Sequence, residues 1–119
     1  MMAEQVKVLV VNVGEPPEEV TVSSSQLNEF FTEAVGGTVS SSAFVQGERE
    51  IRMIYNDNFI SLNLENNIGL QKNPNLENYK NYIQGNVVIV AYSRLGEIRS
   101  LTDGEMHSIR QALIQRRVY

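Results

Sequence analysis

The chain has 119 residues, 42% of them hydrophobic and 20% charged, with a net charge of −4, no cysteine and one histidine. That length suits one domain with a single core. The absence of cysteine removes disulfides, thiolate metal sites and a cysteine nucleophile, and it is consistent with a cytoplasmic setting. The acidic balance argues against general nucleic-acid binding, which needs Lys and Arg to displace counterions from phosphates.

No apolar run approaches the roughly 20 residues that span a bilayer, so no membrane segment is expected. The first residues carry no basic region ahead of Val8–Val11, which reads as a buried strand and not as a signal peptide.

In chain order, Val6–Val13 is β-branched and nearly continuous in apolar residues, the pattern of a central strand covered on both faces. Gly14 and the pair Pro16-Pro17 break it, and Glu18–Val22 alternates as the returning arm of a hairpin. Ser25 is the expected cap of a helix whose apolar stripe is Leu27, Phe30, Phe31, Ala34 and Val35. Gly36-Gly37 ends it, since glycine enters the left-handed terminal conformation without penalty.

Further strands are expected over 38–45, 50–55 and 59–64, with Gly47 turning the first hairpin and Asn56-Asp57-Asn58 the second. Ile51, Met53 and Tyr55 should share a face. Residues 65–81 form an Asn-rich excursion that reads equally as a binding loop or a connection, with a short helix expected over 76–83.

Gly85–Tyr92 is a second buried-strand run, and Glu97–Leu101 pairs back after a turn at Ser93–Gly96. Thr102 and Glu105 have capping-box spacing at the start of a last helix that runs to about Arg116. Its inward positions are Met106, Ile109, Ala112 and Leu113. Together these elements predict an α+β domain: an antiparallel or mixed sheet of about five to seven strands, with two helices packed on one face.

Three blocks then carry a family resemblance: Val-Leu-Val-Val-x-x-Gly-x-Pro-Pro at 8–17, Leu-x-x-Phe-Phe-x-x-Ala-Val-Gly-Gly at 27–37, and Gly-Asn-Val-Val-Ile-Val-Ala at 85–91 with Ser-Leu-Thr-Asp-Gly-Glu at 100–105. The pattern resembles an uncharacterised "domain of unknown function" family of small proteins carried by bacteriophages, prophages and other mobile elements. The resemblance spans nearly the whole chain, and the Asn-rich stretch departs from the pattern. It implies a phage or mobile-element origin and a host cytoplasm as the setting, and it brings no catalytic residues with it.

The chemistry is sparse. His107 has Asp103 one turn back, but no serine in an elbow motif accompanies them, so it reads as a surface histidine. Glu18-Glu19 point to opposite faces of a strand, and Glu48 and Glu50 flank a turn. No metal, cofactor or catalysis is expected.

Binding remains. Residues 1–60 hold three basic groups against nine acidic ones, and residues 61–119 seven against five. The late basic residues, Arg94, Arg99, Arg110, Arg116 and Arg117, read as a solvated face and a basic helix end.

One expectation is a small anionic, aromatic ligand such as a nucleotide signal. It would be held by Arg52, Arg94 and Arg99 with Tyr55, Tyr79, Tyr82 and Tyr92, because guanidinium forks match phosphate and tyrosine rings stack on bases. The alternatives are an acidic N-terminal half that docks on a host protein, exposed-strand arginines that merely protect a sheet edge, and strand edges that form a homo-oligomer.

Overall fold

The structure, a computed structural model, describes residues 4–44, 50–59, 62–69 and 82–116. Its elements are β1 (Gln5–Val11), β2 (Glu18–Ser23), α1 (Leu27–Val35), β3 (Val39–Ala43), β4 (Ile51–Asn56), β5 (Asn66–Gly69), β6 (Tyr82–Gln84), β7 (Val87–Tyr92), β8 (Ile98–Arg99) and α2 (Asp103–Arg116). The main sheet is antiparallel in the order β2-β1-β7-β4-β3, with β8 also on β7; β5 and β6 form a separate two-stranded sheet. The fold is α+β, as the element pattern predicts.

The helices do not share a face, contrary to the expectation. Val6, Val8 and Val10 pack with Val88, Val90 and Ile54 under Leu27 and Phe31 of α1. Leu9, Val11, Met53, Val87, Ile89 and Ala91 pack instead with Met106, Ile109 and Leu113 of α2. The reason lies in the strands themselves. Alternate residues of β1 and β7 point to opposite faces, and both sets are apolar, so each face needs a cover. α1 covers one face on its way from β2 to β3; α2, with Ile68 and Ile83 of the small sheet, covers the other.

Local punctuation is mixed in its agreement. The capping box is made reciprocally: Glu105 N–H donates to Thr102 Oγ1 at 3.1 Å and Thr102 N–H to Glu105 Oε1 at 2.9 Å. Gly36 takes φ +81° and its N–H donates to the carbonyl of Thr32 at 2.9 Å. Ser25 makes no cap. Residues Ser24–Gln26 form a 3₁₀ turn that leads into α1, and the Ser25 hydroxyl meets that of Ser23 instead.

The strand expected over 59–64 is absent at its described positions. Leu62 N–H donates to Asn58 O, Leu64 N–H to Phe59 O, and Asn63 sits at φ +53°, so the chain turns there and the strand begins at Asn66. Tyr82 and Ile83 are strand, not the end of a helix; the remainder of that expected helix, and the turn at Gly47, lie outside the described residues.

Buried polar side chains help to hold the layers together, among them Asn67 and Arg116. Asn67 donates to Val11 O at 2.8 Å and Gly85 O at 2.9 Å, which ties the small sheet to the large one. Arg116, expected at a solvated helix end, is 1% exposed. Its guanidinium donates to Gly69 O at 2.7 Å and to Phe44 O, and lies over the Phe44 ring at 4.4 Å. The cation therefore works as a bracket between α2, β5 and the end of β3.

Candidate functional site

The strand period decides where each expected site residue falls. Arg52 pairs with Val90 across β4 and β7 and lies on the α1 face with Tyr92. Tyr55 is on the α2 face, where its hydroxyl shares a 3.1 Å hydrogen bond with Ser42 and its ring meets Phe59 edge-on at 5.6 Å.

Arg99 also faces α2. It donates to Glu105 at 2.9 and 3.1 Å and reaches Glu50 at 3.4 Å. Its hydrogen bond to Glu105 raises the guanidinium pKa further and lowers that of the carboxyl, with Thr102 N–H adding to the second effect. A cation so engaged is an intramolecular strut.

Arg94 is exposed in the β7–β8 turn, Tyr82 is on the separate small sheet, and Tyr79 lies outside the described residues. The seven residues are thus not one site. Among the described ones, Arg52 and Tyr92 share the α1 face of adjacent strands.

Tyr92 lies in the wall of a groove along α1. One recess of about 480 Å³ is lined by Glu4, Ser24, Ser25, Leu27, Asn28, Tyr92, Gly96, Glu97 and Ile98. A second, of about 200 Å³, is lined by Phe31, Val39, Ser40, Ser41 and Ile54 and shares Asn28, Tyr92 and Ile98 with the first. The shared wall makes them continuous, from the start of β1 to the edge of β3.

Arg52 stands at the β3 end, donating from Nε to Ser41 Oγ at 3.2 Å and from its terminal nitrogen to Ser41 O at 3.3 Å. Glu4 and Glu97 thus line one end of the groove, and the guanidinium of Arg52 lies outside the lining, against Ser41 at the other end. Asn28, Ser40 and Ser41 were not singled out from the sequence, because a lone amide or hydroxyl carries no spacing signal of its own.

Another recess, about 560 Å³, lies at the far end of the sheet, lined by Val13, Gly14, Asn63, Leu64, Glu65, Asn66 and Gln84. It has amides and a carboxylate but no aromatic ring in its wall, so it is poorly matched to an aromatic ligand.

His107 is exposed on α2 and no hydrogen bond joins it to Asp103. Among the described residues no group of His, Asp and Glu is arranged to hold a metal ion, and no helix is long and apolar enough to cross a membrane.

The family model described as "Domain of unknown function (DUF3846)" matches residues 6–114. The chain belongs to this family. The match runs from β1 to the last turn of α2, so the family unit takes in both helices, both sheets and the groove lining except Glu4. No curated protein and no solved structure matches the chain.

Proposed function

We propose that the domain is a non-catalytic binding module that captures a small anionic, aromatic ligand of nucleotide type in the groove beside α1. The observation that carries this is the placing of Tyr92 in the wall of both recesses, with Arg52 on the same face of the sheet. A tyrosine ring suits a base, and the hydroxyl of Ser41 and the amide of Asn28 offer hydrogen bonds beside it. The carboxylates line only the larger recess, so the anionic end of a ligand belongs at the Arg52 end.

The setting we propose is that of a phage or mobile-element accessory protein, sequestering a host nucleotide signal in the host cytoplasm; the sequence resemblance supports this part.

A thermal-shift screen against linear and cyclic nucleotides tests the reading, because a ligand that binds only the folded state raises Tm. A shift that Arg52→Ala removes supports it. No shift with any nucleotide at millimolar concentration overturns it.

A second reading has its own observation. Glu29 and Glu33 are exposed one turn apart on α1, an arrangement that costs helix stability and that a basic host protein surface would neutralise. Recovery of a host protein by pull-down, lost on Glu29→Lys with Glu33→Lys, supports that alternative.

A further inference from the structure

Phe44 N–H donates to Ile51 O and Asp57 N–H to Thr38 O, so the even-numbered residues of β3 direct their backbone groups at β4. In an antiparallel ladder the alternate residues then point both N–H and C=O away from the partner strand. Val39, Ser41 and Ala43 consequently present three donors and three acceptors along the outer edge, and no described strand pairs with them.

The strand offers no proline and no charge of its own, the usual means of closing an edge. The opposite edge differs: β2 carries Glu18 and Glu19. A charge does reach the β3 edge from β4: the guanidinium of Arg52 crosses β3 to Ser41 O and so reaches the outside of the sheet. A carbonyl has two lone pairs, so that contact leaves Ser41 O able to accept from a strand laid alongside.

We propose that the outer edge of β3 binds an extended acidic peptide by strand addition, with a carboxylate-bearing residue opposite Ser41. A residue paired across from Ser41 places its side chain on the same face as that of Ser41, which is the α1 face where Arg52 lies. The occupant is thus a backbone in β conformation plus one acid at a defined position. The inference shares Arg52 with the groove reading, and the outward amides of β3, which a groove ligand would not engage, tell the two apart.

The test uses blocked seven-residue peptides of alternating threonine and valine around a central glutamate, glutamine or lysine, titrated into the whole chain while its amide resonances are followed. The amides of Val39, Ser41 and Ala43 should shift and gain exchange protection, while those of Ser40 and Ser42 should gain little. The glutamate peptide should bind about five-fold tighter than the glutamine peptide, as suits a solvent-accessible charge-assisted hydrogen bond, and the lysine peptide most weakly.

Ser41→Pro deletes an outward N–H that β4 does not use, so the variant should fold and lose binding of every peptide. Arg52→Gln should erase the preference for glutamate. Absence of shifts at the three edge amides with any peptide would overturn the proposal, and so would stronger binding of all three peptides to Arg52→Gln, which would make Arg52 a guard of the edge. A concentration-dependent dimer of the chain alone, abolished by Ser41→Pro, would likewise replace the peptide with a second copy as occupant.

Discussion

The side-chain amide of Asn56 donates to the carbonyl of Val35 at 3.1 Å, while its Oδ1 accepts the N–H of Asn58 at 2.8 Å. One buried side chain thus joins the last turn of α1 to the end of β4, and it explains a neighbouring glycine. A Cβ on Gly37 would lie 3.1 Å from Asn56 Nδ2, closer than ordinary packing allows. Gly36 ends the helix through its positive φ; Gly37 is small because Asn56 occupies the space beside it.

Replacing Asn56 with Ala should therefore cost about 1–3 kcal/mol, since a helix-terminal carbonyl and a turn N–H both lose a buried partner. Gly37→Ala should destabilise on its own and less in the Asn56→Ala background, because the obstructing amide is gone. Urea unfolding of the two single variants and the double variant measures this coupling.

Thr102→Ala should remove about 1 kcal/mol by leaving the Glu105 N–H without its cap. The Glu105 carboxyl is held below its ordinary range, first by Arg99 and then by Thr102 N–H. Its folded-state pKa is thus depressed. The stability it contributes is fully present above the unfolded-state value of about 4.3 and is lost as pH falls toward the folded one. Glu105→Gln should flatten the acid limb of a Tm-against-pH curve below about pH 4.3, and leave its slope near neutrality unchanged.

Among the described residues, Arg116 is the charged side chain that is buried. Arg116→Met keeps much of the volume but leaves the carbonyls of Gly69 and Phe44 without this donor. Removing such a buried cation should cost about 3 kcal/mol or more, read as a lower urea midpoint, and Arg116→Lys should recover only part of it.

If the groove beside α1 holds an anionic ligand, Arg52→Ala should weaken it about ten-fold or more, a charge-assisted bond being worth roughly 1.5–3 kcal/mol. Arg99→Ala should leave the affinity unchanged while lowering stability, because Arg99 is spent on Glu105 and Glu50. Isothermal titration of both variants with the nucleotide that shifts Tm separates the two roles.

The local elements were legible because their signals are local. Leu27, Phe31 and Val35 at helical period, Gly36 at the stop, Thr102 with Glu105, and the apolar runs of β1 and β7 each depend on residues a few positions apart. The α+β class follows from their order. Residues 59–64 misled because alternation of Ile60, Leu62 and Leu64 resembles a strand, yet Asn58 and Asn63 turn the backbone. Ser25 misled because a 3₁₀ turn intervenes before the first α-helical turn.

By itself, then, the sequence determined periodicity, caps and the need of β1 and β7 for cover on both faces. Only the tertiary structure decided which helix took which face, and with that the fate of three arginines: Arg99 bound to Glu105, Arg116 buried on Phe44, Arg52 held on Ser41 at the edge of the sheet. The physical reason is that charge and hydrogen-bonding capacity are satisfied by partners far apart in the chain. Arg116 and Gly69, or Val13 and Asn86, meet only after the layers have closed.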